Sequence, residues 1–173
     1  MSRWRPANPE RSAPYITPAG YARLKAEYNH LWLERRPEVV RAITAAAAEG
    51  DRSENAEYIY RKKELREIDR RVRYLQLRLP QLQVVAPPAG AQAQIFFGAI
   101  VTLCDVATAE ERAYQIVGGD EIGEELEQGR VTPVSVDAPL AKALLKKTEG
   151  DIVRLHLAGK EQEWEVLSLH YPA

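Results

Sequence analysis

Residues 65–82 read LREIDRRVRYLQLRLPQL. Leu65, Ile68, Val72, Leu75, Leu79 and Leu82 step by 3, 4, 3, 4 and 3, the a/d spacing of a coiled-coil seam. Such a seam requires a second helix to cover it. Upstream, Tyr21, Leu24, Tyr28 and Leu31 step by 3, 4 and 3. Thr17 is placed to N-cap that helix, with Pro18 at the first helical position, where a missing N–H leaves no bond unmade. Pro37 predicts a kink, after which Val39, Ile43 and Ala46/Ala47 resume the apolar face. Two seams joined by a short turn containing Gly50 predict an antiparallel helical hairpin over 17–85. At about 1.5 Å per residue its arm is roughly 45 Å long.

Beyond the hairpin, APPAGAQAQ (86–94) reads as a linker. The period then changes. FFGAIVTLCDV, RAYQIVGG, RVTPVSV, DIVRLHLAG and QEWEVLSLHY read as strands, and APLAKALLKK (138–147) as a short amphipathic helix. Residues 95–173 therefore form a small, mostly antiparallel sheet with one helix, and the chain is α+β. Phe96, Phe97, Tyr114 and Trp164 are expected in the core of the sheet. Residues 1–16, rich in Pro, Arg and Ser and without an apolar h-region, read as a mobile arm and not a secretory signal.

Composition narrows the function classes. The chain is 45% hydrophobic and 28% charged, as in folded soluble proteins. No apolar run of about 18 residues is present, so no membrane partner is expected. The single cysteine, Cys104, excludes an internal disulfide and suits a reducing cytoplasm. It lies in an apolar run and is expected to be buried. One Cys and the scattered His30, His156 and His170 leave no zinc site.

The net charge of −1 hides an asymmetry. Residues 17–80 carry +4, residues 81–173 carry −7 and residues 1–16 carry +2. Such a split suits a basic part that meets nucleic acid and an acidic part that meets another surface. Along the second helix, Lys62, Lys63, Arg66, Arg70 and Arg73 lie on one side, with Arg52 at the turn. They suit a phosphate backbone read without sequence preference. The same residues also suit a solvated face tied by pairs such as Arg66–Asp69 and Glu67–Arg71. At the turn itself, GDRSEN (50–55), Asp51 and Glu54 have the spacing of a capping box. The competing reading rests on place, because a hairpin tip is the first part of an arm to touch a partner. Mg²⁺ takes about six oxygens in an octahedron, so two exposed carboxylates cannot hold it alone. A metal at this tip would need ligands from a partner.

GDRSENAEYIYRKKELREIDRRVRYL closely resembles the signature of the bacterial transcript cleavage factors, the Gre family, in its GreB branch. The resemblance extends to TPAGYARLKAEYNHLWLERRPEVV, FFGAIVTL, QIVGGDEI and VDAPLAKALLKKTEGD, nearly the whole chain from about residue 15. It implies an N-terminal coiled-coil hairpin and a C-terminal FKBP-like domain. It further implies a monomer that docks on bacterial RNA polymerase, enters its secondary channel and stimulates cleavage of backtracked RNA at the nascent 3′ end. No cofactor of its own is implied, only Mg²⁺ in the polymerase active site. Asp51 and Glu54 match the metal-positioning pair, and Ser53 and Asn55 fall beside them as supporting residues. Arg52, Arg61, Lys62, Lys63, Arg66, Arg70 and Arg73 match the RNA-contacting patch. Asp137, Ala138 and Pro139 match the polymerase-docking segment. Glu64 stands where GreB-like sequences more often carry a basic residue, with Arg61 nearby to restore the charge. Ala138 stands where the family commonly has Ser.

Three other classes remain in view. A free-standing nuclease would need more metal ligands than the tip offers. A channel-binding inhibitor of the same architecture would not need the Asp51/Glu54 pair. A peptidyl-prolyl isomerase would follow from the second domain's fold alone, and fold does not carry function.

Overall fold

The computed structural model describes residues 12–90 and 92–172, so residues 1–11 of the expected arm lie outside it. Two compact units are present. Residues 21–82 form one, and those up to 20 together with those from 83 onward form the other.

The helical unit is built from α1 (Pro18–His30), a π-helical stretch Leu31–Arg35, α2 (Arg36–Ala48) and α3 (Ala56–Arg78). The interruption expected at Pro37 is a π turn just before it. Pro37 has no N–H to give the preceding turn, and the Arg36 N–H reaches back five residues to the Leu31 carbonyl. Val39, Ile68 and Val72 are buried at the seam, with Tyr28, Leu31, Ile43 and Leu65 packed against them. The pairing is antiparallel in register. Arg71 meets Glu27, Arg36 meets Asp69, and Asn55 meets Ala46. The expected helix to Leu82 stops short: α3 ends at Arg78, and Leu79–Gln81 tighten into a 3₁₀ turn at Pro80.

The other unit holds β1 (Tyr15–Ile16), β2 (Gln83–Val84), β3 (Ile100–Asp105), β4 (Glu111–Val117), β5 (Val131–Ser135), α4 (Pro139–Leu144), β6 (Ile152–Leu157) and β7 (Lys160–His170). Five strands form one sheet in the order β5-β4-β3-β7-β6. The expected antiparallel sheet holds for three of its pairs, but β4 and β5 run parallel. Residues 118–130 between them are long enough for the crossover that a parallel pair requires. Pro133 is tolerated because β5 is an edge strand. Val101, Leu103, Ile116, Val153, Leu155, Trp164 and Val166 point into a core closed by Ala141 and Leu144 of α4. Phe97 and Tyr114 are only half-buried at its margin. Cys104 is likewise half-buried, since it alternates with Leu103 on β3 and so faces away from the core.

The expected domain boundaries shift. β1 and β2 form a two-stranded sheet of their own, and the residues up to 20 and from 83 onward group with the unit of the five-stranded sheet, whereas 17–20 and 83–85 are expected in the hairpin from sequence. Gln94 is tied down at the end of the supposed linker, where its carbonyl accepts from the Tyr171 hydroxyl at 2.8 Å. Thr17 does cap α1: its hydroxyl accepts from the Gly20 N–H at 3.0 Å. The same hydroxyl donates to the buried carboxylate of Glu121, which also accepts from the N–H groups of Thr17 (3.1 Å) and Gly118 (2.9 Å). Nothing in the sequence marked Glu121 for this task.

Gly118 is fixed by space. A Cβ there would sit 1.9 Å from the Tyr15 carbonyl oxygen, which belongs to backbone and cannot swing away. Gly118→Ala is expected to displace β1 and to cost about 1–3 kcal/mol. A lowered urea midpoint for the sheet unit, with helical ellipticity kept, checks this.

Candidate functional site

Residues 49–55 connect α2 to α3 and form the tip of the hairpin. Gly50 opens the turn at φ 140°, a conformation that side chains disfavour. The last helical carbonyls are then met locally: Ala46 accepts from the Glu49 N–H at 3.2 Å. The expected Asp51/Glu54 capping box is absent. Helix α3 starts at Ala56, and its N-cap is Asn55. The Asn55 Oδ1 accepts from the Tyr58 N–H at 3.1 Å, while its Nδ2 donates to the Ala46 carbonyl at 2.8 Å. Asn55 thus caps one helix and ties it to the other. That is a structural task within the tip.

Asp51 makes a turn of its own. Its Oδ1 accepts from the Ser53 N–H at 2.9 Å and from the Ser53 hydroxyl at 2.8 Å. These two bonds, the backbone one foremost, hold its carboxyl below the usual aspartate range. Glu54 is exposed, and no described hydrogen bond engages it. The tip therefore presents two exposed carboxylates, one with its ionised form favoured by Ser53 and neither used as a helix cap. Among the described residues no group of three or more His, Cys, Asp or Glu side chains could hold a metal ion. The donor set fits a partial ligand contribution to a site completed elsewhere, and does not fit a metal site of this chain alone.

The basic residues divide into two kinds. Lys62, Lys63, Arg66, Arg70 and Arg73 are exposed, and no described ion pair ties them. The intrahelical pairs that would have made them a tied face are replaced by pairs across the hairpin. Asp69 takes Arg36 at 2.8 Å, and Glu27 takes Arg71 at 2.6 and 2.8 Å. Arg52 and Lys62 both lie against the Tyr58 ring, at 6.0 and 5.8 Å from its centroid. Arg61 differs from the rest of the patch. It bonds Glu57 at 2.8 Å and Glu64 at 2.9 Å, so its charge is spent locally. Glu64 also accepts from Arg35 across the hairpin, at 2.8 Å to Nε. Burial pushes the Glu64 carboxyl up, but hydrogen bonds from Arg35 and Arg61 outweigh that and hold it below the usual range. Arg61 consequently does not restore the charge that Glu64 removes.

In the sheet unit, Ala138 is the N-cap of α4 with no side-chain cap, as its missing hydroxyl requires, and Pro139 occupies the first turn. Asp137 is exposed, and its Oδ2 accepts from the Ala13 N–H at 2.9 Å. The segment is an ordered, solvent-facing turn against the start of the described chain.

The domain described as transcription elongation factor, N-terminal (GreA/GreB) matches residues 14–84, and the C-terminal GreA/GreB domain matches residues 90–171. The chain belongs to the GreA/GreB family of transcription elongation factors. It is 56% identical over 172 residues to transcription elongation factor GreB of Xanthomonas axonopodis pv. citri (strain 306), covering 99% of this chain and 98% of that one. The GreB of Pseudomonas aeruginosa is 47% identical, with the same coverage of each chain. That of Vibrio cholerae is 42% identical over 90% of this chain and 94% of its own. No helix among the described residues is long and apolar enough to cross a membrane.

The tip separates capping from exposure. Asn55→Ala is expected to lower stability by about 1 kcal/mol or somewhat more, because two bonds are lost, whereas Glu54→Ala leaves it nearly unchanged. Urea titration of both variants checks this. The Asp51 titration carries a second test. A carboxyl held below its ordinary 3.8 contributes stability above that value and loses it as pH falls through the lower folded value. Ser53→Ala should move the Asp51 midpoint, followed by carboxyl NMR, upward toward 3.8.

Proposed function

We propose that this elongation factor binds RNA polymerase, reaches the active site with the hairpin tip, and stimulates endonucleolytic cleavage of backtracked RNA by the polymerase. The observation that carries the reading is the pair of carboxylates at residues 51 and 54, both exposed and neither capping a helix. Had they formed the capping box, their presence at the tip would have had a local cause.

Mg²⁺ held mainly by the polymerase would supply a polarised water for phosphodiester hydrolysis, and Asp51 and Glu54 would complete its ligand set. Everything else falls to this chain's own residues. Ser53 binds one Asp51 oxygen by two hydrogen bonds, which leaves Oδ2 without a described partner and favours the ionised form. Asn55 fixes the tip on its helices without adding bulk, and Ala45–Ala48 keep that end slim. Lys62, Lys63, Arg66, Arg70 and Arg73 then draw the extruded RNA by charge. Asp137, Ala138 and Pro139 form the proposed contact with polymerase, since a folded surface turn can pack against protein as a slim charged hairpin cannot. Once docked, the second unit raises the effective concentration of the tip near the reacting phosphate.

A backtracked polymerase complex with end-labelled RNA tests this directly. The unaltered protein should accelerate cleavage. Asp51→Asn and Glu54→Gln should each lower that acceleration at least tenfold while competing undiminished for polymerase. Normal cleavage by both variants would return the carboxylates to a surface role.

A further inference from the structure

Two residues at the head of the basic face are not explained by charge or by packing. Ile59 is 52% exposed and Tyr60 is 60% exposed, in the first turns of a helix whose apolar seam lies elsewhere. Ile59 is three, four and seven residues before Lys62, Lys63 and Arg66, so it heads the same stripe. Tyr60 flanks it. The ring of Tyr60 is held: the Arg61 guanidinium lies 5.6 Å from its centroid. Arg61 is in turn pinned by Glu57 and Glu64. A guanidinium so fixed covers one side of the ring and restrains its rotation, while most of the ring's surface stays in water. Tyr58, by contrast, is half-buried and already engaged by Arg52 and Lys62.

An exposed, oriented aromatic ring that flanks an isoleucine at the head of a row of cations tied by no described ion pair has the chemistry of a single-stranded nucleic acid platform. Bases stack on the ring and phosphates follow the cations, which recur about every 6 Å for four residues of helix. Charge decides the occupant. An apolar protein surface would leave four or more cations facing it unmatched, whereas a phosphate chain matches each of them. We propose that Tyr60, backed by Ile59, stacks an unpaired base of single-stranded RNA whose phosphates lie on Lys62, Lys63 and Arg66. This rests on the RNA-directed function above and names a binding residue within it. Glu64 then acquires a use: it removes a positive charge from the patch but holds Arg61 on the ring.

The test uses the full chain and two labelled single strands with the same phosphates, one an ordinary oligoribonucleotide and the other abasic. Tyr60→Ala should weaken binding of the base-bearing strand about tenfold and leave the abasic strand unaffected. Tyr60→Trp should retain the affinity. Arg66→Glu should weaken both strands and flatten the salt dependence. Equal loss on both strands, no loss on either, or no binding of either strand by the unaltered chain overturns the proposal. Weakened competition for polymerase with unchanged RNA binding would place the ring against protein and overturn it too. Because the titration contains no polymerase, failure of stimulated cleavage and failure of stacking are read separately.

Discussion

The carboxamide of Asn55 closes the hairpin, and the arrangement of the tip depends on it. One small side chain offers both an acceptor and a donor. The acceptor caps α3 at Tyr58, and the donor satisfies a terminal carbonyl of α2 at Ala46. Helix ends leave orphan groups that must find partners. Here both ends are served by a residue that carries no charge. An aspartate in that position could accept from Tyr58 but could not donate to Ala46. Asp51 and Glu54 are thereby released from the task that their spacing suggested, and both carboxylates stay exposed.

The same division governs the cations. Carboxylates near the seam take partners across the hairpin: Glu27 with Arg71, Asp69 with Arg36, and Glu64 with Arg35. Partly screened pairs of this kind are modest in energy, and their larger effect is on register and on which charges remain. Pairs within α3 would have neutralised the outer face. Pairs across the seam spend acids on the inner side and leave Lys62, Lys63, Arg66, Arg70 and Arg73 in water. The basic face is therefore a product of how the helices are paired as much as of composition.

Much of this was legible beforehand, for local reasons. The 3-4 steps of Leu65, Ile68, Val72 and Leu75 are one helix reading itself, and Thr17-Pro18 marks a helix start by the chemistry of the first turn alone. Those features came through unchanged. What escaped the sequence depended on distance along the chain. Glu121 and Thr17 are 104 residues apart, and the acceptor needs that only folding reveals decided their bond. The cap went to Asn55 and not to Asp51 because both types cap comparably well, and only the position of Ala46 across the turn breaks the tie. The parallel β4–β5 pair was hidden because strand patterns look alike in either direction, although the length of 118–130 permitted it.

Stability and accessibility are at odds in a slim tip, and the structure resolves them with hydrogen bonds. The buried seam cluster centres on Val39, Ile68 and Val72, well short of residue 50. Beyond it, Ala46 is the last buried apolar residue before the turn. A larger apolar group there would add burial but widen the end that, on the function proposed above, enters a partner. Asn55 and Ser53 order the tip without that volume, each by bonds to neighbours a few residues away. Such local bonds order the turn only as firmly as solvent competition allows. The tip is therefore ordered by local hydrogen bonds, whereas the helices behind it are also held by ion pairs across the hairpin. On the function proposed above, a group that completes another protein's ligand set gains from that arrangement, because its ionised form is favoured before contact.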